Sequence, residues 1–179
     1  MTKEIHDLIE LINKEGINID PNIELNKVQG DTFEFKIKDK IYHVGYVKSI
    51  IPGPDESIFE FKFKLMNNPN SPKKSNFKDD IQYQIALQKS QIGITGTGDS
   101  KEVFDKVISI IVKVIKEKRP SYITFQADEK NRQKLYSLLI KQITSKIKNY
   151  KQINYNPSYN PIDNIPLEDG EFWLKNVDI

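Results

Sequence analysis

The sequence predicts one α+β domain: a mixed, largely antiparallel β-sheet flanked by helices. Three observations lead there. From Thr32 to Leu65 apolar residues recur at every second position, the period of a half-buried strand. From Val103 to Ile147 they recur at three- and four-residue steps in two long runs, the period of helices that bury one face. At 179 residues the chain is long enough for one sizeable core and short for two. The expected organisation is an N-terminal helix within residues 1–20, antiparallel strands within 30–95, a glycine turn with helix, strand and helix within 96–150, and a loop with an end strand within 151–179.

Taken in order, Ile5, Leu8, Ile9 and Ile12 stand at helical spacing, and Gly16 sits where a helix would stop. Phe33, Phe35 and Ile37 alternate with Glu34, Lys36 and Lys38; Asp39-Lys40 offers a turn, and Ile41 to Val47 forms the partner strand of a hairpin. After "PGPDES", Phe59, Phe61, Phe63 and Leu65 line one face of a strand, with Glu60, Lys62 and Lys64 on the other. Asn67 to Asp80 reads as a polar surface excursion. Ile81, Tyr83, Ile85 and Leu87 then alternate with glutamines, which predicts another strand.

The stretch "QIGITGTGDSKEVFDKVISIIVKVIKEKRP" follows, a glycine-rich turn leading into an amphipathic helix. Val103, Phe104, Val107, Ile108, Ile111, Val114 and Ile115 form its stripe. Asp99 and Glu102 make a capping box, and Lys116, Lys118, Arg119 and Pro120 close the far end. Ile123, Phe125 and Ala127 mark a strand, Asp128 caps a second helix with Leu135, Leu139, Ile143 and Ile147 as its core line, and "EFWLKN" is an end strand. Strand, helix, strand, helix in succession implies a crossover between parallel neighbours. If the end strand rejoins the sheet, the Asn-, Pro- and Tyr-rich segment before it is a tethered loop.

Composition narrows the chemistry. There is no cysteine, hence no disulfide, thiolate metal site or cysteine nucleophile, and two histidines make a histidine-rich zinc site an unexpected feature, so no metal is assigned. Lysines and arginines number 27 against 25 acidic residues and are interspersed with them, which lacks the one-signed footprint of a duplex-nucleic-acid binder. The Lys-rich Pro72-Lys73-Lys74 loop is the weakest of the functional readings. No apolar run is long enough to span a membrane, and the N-terminus lacks the pattern of a signal peptide, so the protein is expected to work where it is made.

The turn Gly96-Thr97-Gly98-Asp99-Ser100 carries two readings. Free backbone N–H groups at a positive helix end are a physical basis for holding a phosphate. Equally, the glycines permit the turn and Asp99 caps the helix, its own charge competing with an incoming anion. Neither a Gly-Lys-Ser/Thr nor the third glycine of a dinucleotide fingerprint is present. Glu34 and Glu60 are carboxylates on the polar sheet face, His43 has no visible carboxylate partner, and one of Phe172 and Trp173 belongs to the core while the other is a candidate interface aromatic.

From Ile81 to Asn176 the order of elements, with the Gly-x-Gly turn and Leu135-Tyr136, resembles the core of the GNAT acetyltransferase superfamily. There the turn is normally Gln/Arg-x-x-Gly-x-Gly/Ala, its amides bind the coenzyme A pyrophosphate, and a Leu-Tyr tyrosine serves as general acid for the thiolate. The resemblance implies a GNAT-like topology, acetyl-CoA bound at Gly96, Thr97, Gly98, Asp99 and Ser100, and Tyr136 as the catalytic acid. The chain departs from the pattern at Gly93, where Gln or Arg is usual, at Glu129 and Arg132, and in lacking the Gly-Phe after Leu-Tyr. The blocks "GTGDSKEVFDKVISII", "YITFQADEKNRQKLYSLL" and "EFWLKN" also look like a group of uncharacterised tailed-bacteriophage proteins. That likeness implies a viral origin and no known activity. The first functional expectation is a non-catalytic virion or accessory protein on a degenerate acetyltransferase-like scaffold, with other phage or host proteins as partners, no cofactor, and a place in the virion or host cytoplasm. The alternative is an acyl-CoA-dependent N-acyltransferase.

Overall fold

The computed structural model describes residues 3–50, 56–66, 72–91, 99–127, 130–157 and 165–178. In chain order the elements are α1 (Lys3–Glu15), β1 (Asn26–Gln29), β2 (Thr32–Ile37), β3 (Lys40–Ile50), β4 (Ser57–Leu65), α2 (Asp80–Gln91), α3 (Ser100–Lys118), β5 (Tyr122–Gln126), α4 (Lys130–Lys146), β6 (Tyr150–Ile153), β7 (Tyr155–Asn156), β8 (Ile165–Pro166) and β9 (Glu171–Asn176). A seven-stranded sheet runs β1-β2-β3-β4-β5-β9-β6, and β7 with β8 forms a separate short ladder. The β4–β5 pairing is parallel and the others are antiparallel. The protein is thus α+β with a mixed, mostly antiparallel sheet flanked by helices.

The period-two residues do what their spacing requires. Phe33, Phe35, Ile37, Tyr42, Val44, Tyr46, Phe59, Phe61 and Leu65 are buried together, joined by Ile123, Phe125 and Leu174 from the strands beyond. Tyr46 stacks on Phe59 and Phe35 on Tyr42, with ring centroids 4.2 and 5.2 Å apart. Against this face lie Leu8 and Ile12 of α1, the stripe of α3, and Leu135, Leu139, Ile140 and Ile143 of α4. Helix α3 is buried beyond its stripe, at Ser109, Ile110 and Val112 as well, and both α1 and α4 pack on it. Its polar side chains fasten the link between α1 and β1: Ser109 Oγ accepts the Asp20 N–H at 2.9 Å and Lys113 Nζ donates to the Ile23 carbonyl at 2.7 Å. Gly16 ends α1 as its position suggests, with φ +74 and its N–H on the Ile12 carbonyl at 2.8 Å.

Two expectations fail for identifiable reasons. Residues 81–88 form α2 and not a strand, so the span 30–95 is not strands throughout. Of residues 81–88, three Gln, one Ala and one Leu are good helix formers, and only Ile81 and Ile85 are β-branched. Asp79 starts the helix, its Oδ1 accepting the Ile81 N–H at 2.8 Å and its carbonyl the Tyr83 N–H at 3.1 Å. The parallel neighbour of β5 is consequently β4, and the crossover between them contains both α2 and α3. The first hairpin turns on Lys38-Asp39 and not Asp39-Lys40, since Ile37 pairs with Lys40, and Lys38 takes φ 55.

The end strand does rejoin the sheet: β9 lies between β5 and β6, so the segment before it is tethered at both ends. Strands β1 and β6, absent from the sequence reading, are four-residue edge strands; β1 is exposed throughout, and β6 buries only Tyr150 fully. Of the paired aromatics, Phe172 packs on the main core, while Trp173 is buried on the opposite sheet face with Ile58 and Tyr122. Its indole N–H has no hydrogen-bond acceptor among the described residues. Asp128, expected to cap α4, lies outside the described residues.

Candidate functional site

The carboxyl ends of the two parallel strands define the most site-like region. Pairing of β4 with β5 covers only Ile58–Glu60 against Tyr122–Thr124, although β4 continues to Leu65 and β5 to Gln126. The ladder thus stops short of both carboxyl ends, the place where open sheets with parallel strands offer a crevice. Met66 N–H donates to the Ile41 carbonyl at 2.8 Å, which sets the end of β4 beside the first hairpin turn. That turn reaches the start of α3: Lys38 Nζ donates to Asp99 Oδ1 at 2.5 Å. Helix α4 begins directly beyond β5, so both long helices present their N-terminal ends to one edge of the sheet.

Asp99 is therefore engaged differently from a cap. Its carbonyl accepts the Val103 N–H at 3.0 Å, the ordinary first helical bond, but its side chain makes no capping bond, and the expected capping box with Glu102 is not formed. The ammonium of Lys38 is the stronger, charge-assisted partner. In return the Asp99 hydrogen bond and charge hold the Lys38 ammonium above its ordinary pKa. Only 12% of the Asp99 side chain is exposed. Ser100 is half-buried in the first turn, while Gly96, Thr97 and Gly98 lie outside the described residues. Among the described residues the element before α3 is α2, where a strand was expected.

Tyr136 sits two turns into α4, half-buried, its ring 6.1 Å from Phe125 and 6.3 Å from Phe172. Phe125 in turn stacks on Phe61 at 5.8 Å. The tyrosine thus extends an aromatic row across β4, β5 and β9, which gives it a packing role whatever else it does. Lys134 is exposed, and the side chain of Arg132 lies outside the described residues.

On the sheet face away from the helices, His43 has the carboxylate partner that the sequence did not reveal. Its Nε2 is 2.9 Å from Glu34 Oε2, the two being directly opposite on β3 and β2. A turn placed one residue later would have set Glu34 against Gly45, so the pair becomes legible only once Lys38 is recognised as a turn residue. With Nε2 held, the imidazole presents Nδ1 as its other proton-exchanging atom. Glu60 is paired with Lys62 on its own strand at 3.2 Å.

Sequence reasoning also passed over Gly170. Its φ is +88, and a Cβ there would fall on the Ala127 carbonyl oxygen. Its own carbonyl accepts the Ala127 N–H at 2.9 Å, which ties the end of β5 to the start of β9. The Asp-Gly at 169–170 just before a strand was the available signal. Among the described residues no cluster of three or more His, Asp or Glu could hold a metal ion, and no helix is long and apolar enough to cross a membrane.

The chain belongs to a family of unknown function (DUF6934), whose model matches residues 62–160, more than half of its length. The match opens within β4 and runs through α2, α3, β5, α4, β6 and β7. No curated protein and no solved structure matches the chain.

Proposed function

We propose that this member of the DUF6934 family is a non-catalytic protein that works by protein–protein contact, as a virion or accessory component of a tailed bacteriophage, on a scaffold with GNAT-like topology. The observation that carries the contact reading is α2. Ile81 and Ile85, one turn apart on this helix, are 69% and 48% exposed, an apolar pair outside the core. Two further features favour binding over catalysis: Tyr136 is engaged with Phe125 and Phe172, and the Asp99 carboxylate already occupies the positive end of α3. In purified particles, or in complexes isolated from infected cells, the protein is expected in fixed ratio to its partner. An Ile81→Asp/Ile85→Asp variant should fold normally and be lost from them. Wild-type protein absent from both fractions overturns the reading.

The second reading is an acyl-CoA-dependent N-acyltransferase, favoured by the β4–β5 ladder stopping short of the carboxyl ends of both strands. The residues fit coenzyme A in part. The Lys38 ammonium stands at the helix end, and amides around Gly96 to Ser100 would hold the pyrophosphate, with Tyr136 supplying a proton to the leaving thiolate. The charge of Asp99, and α2 where a strand was expected, count against it. Calorimetric titration with acetyl-CoA decides: saturable binding lost in Gly98→Val moves this reading ahead, and no heat from folded protein removes it.

A further inference from the structure

At the end of α3 opposite Asp99, a cleft of about 850 Å³ opens between the C-terminal ends of α3 and α4, close to the ends of β6 and β9. Its size is within the range of small-molecule sites, roughly 300–1,000 Å³. Lys116 and Arg119 border it from α3 and its cap, Lys146 from the last turn of α4, and Lys148 from the turn into β6, while Asp178 is the one carboxylate. All four cations are exposed. Among the described residues none of them lies within ion-pair reach of a carboxylate; the ion pairs all fall elsewhere.

Cations near helix C-termini ordinarily need no explanation, because they complement the helix dipole. Here they exceed that need. With Asp178 and about half a negative charge at each helix end set against them, an excess of about two positive charges remains. A second observation is independent of the charge count. Arg119 is the C-cap of α3 in left-handed backbone, φ 47 and ψ 54, with its N–H on the Ile115 carbonyl at 2.9 Å. That conformation favours glycine, yet the sequence places there a side chain whose guanidinium fork suits phosphate oxygens.

We infer that this cleft binds a short polyphosphate, either free or as the phosphate tail of a larger molecule. Charge and the fork of Arg119 are the recognition elements. Tyr150, the aromatic residue of the lining, is 2% exposed with its hydroxyl donated to the Pro120 carbonyl at 2.5 Å, so it offers no face on which a base could stack. The inference does not depend on either functional reading above.

Calorimetric titration of the full chain with tripolyphosphate at physiological ionic strength tests it, with ATP as a second arm. Saturable binding is expected, weakened about tenfold or more in Lys116→Glu/Lys148→Glu, since each reversal turns attraction into repulsion. The control Lys73→Glu/Lys78→Glu, on an exposed loop of the same chain, should bind as wild type. ATP equal to or weaker than tripolyphosphate identifies the free polymer as the ligand, and ATP binding more tightly identifies a phosphate tail. No saturable binding to folded protein, or an equal loss in the control variant, overturns the inference.

Discussion

Lys38 and Arg119 both carry left-handed backbone, with φ 55 and 47, and they stand at opposite ends of α3. Lys38 has its anion: the Asp99 carboxylate fixes the hairpin turn to the start of the helix. Arg119 has none among the described residues and shares a cleft with three lysines. Both positions accept a backbone that glycine would adopt more cheaply. What differs is where the charge is satisfied. A strained cation matched within the chain is architecture, and one left unmatched beside like charges is available for recognition.

The contrast can be broken or sharpened by mutation. The largest effect is expected at the Lys38 end, where packing around the end of β5 is tightest. Gly170→Ala forces a Cβ onto the Ala127 carbonyl at positive φ and should cost about 3 kcal/mol or more, read as a fall in the chemical-denaturation midpoint. Next comes Tyr136→Ala, with an expected loss of about 2 kcal/mol from the aromatic row, while Tyr136→Phe, which keeps the ring, should cost less. If Tyr136→Phe were as damaging as Tyr136→Ala, the hydroxyl and not the ring would be the important part. At the Arg119 end, Tyr150→Phe removes the buried bond to Pro120 and should cost about 1 kcal/mol.

A pH titration adds a global comparison. Burial, and then the Asp31 partner, push the Tyr46 phenol up to about 12, and burial also raises Tyr122 and Tyr150. The unfolded chain releases these protons near 10, before the folded protein does. Their contribution is therefore complete below pH 10 and is lost progressively as pH rises towards 12. Denaturation midpoints should fall over that interval together with the appearance of tyrosinate absorbance. The smallest effects concern the charges themselves. Lys38→Glu should lower stability slightly, in a manner erased by high salt, whereas Lys116→Glu/Lys148→Glu should leave it unchanged or raise it by relieving repulsion. Equal losses at both ends would erase the distinction drawn here.

How far the sequence discloses this molecule depends on how locally each feature is specified. The burial of Phe33, Phe59, Val107 and Leu139 was legible because each belongs to a periodic run longer than its element's ends. Residues 81–88 misled because alternation alone does not distinguish strand from helix when the alternating residues are glutamines and the cap, Asp79, stands outside the run. Lys38 misled by one position, since a lysine in left-handed backbone carries no compositional mark, and the error propagated through the hairpin to hide the Glu34–His43 pair. The two edge strands are four residues long, with one fully buried side chain, Tyr150, between them, too few to leave a period. Of the candidate site, Asp99 and Ser100 were marked by the glycine turn before a helix, and Tyr136 by the resemblance of Leu135-Tyr136 to the acetyltransferase pattern. Lys38 and Gly170, which arrive from other parts of the chain, could be placed only by topology. The basic cleft lies in the same class, assembled from three separate elements whose lysines look ordinary one at a time.

The position of β9 between β5 and β6 has a consequence for how the molecule is made. Until Glu171 to Asn176 has been synthesised and has entered that slot, two strands hold open backbone edges towards each other, and the last part of the sheet exists only as a gap. Ribosome-bound chains should accordingly remain sensitive to proteases around β5 and β6 until Asn176 has left the ribosome, and assembly of the far side of the sheet is a long-range, slow event instead of one that follows the growing chain.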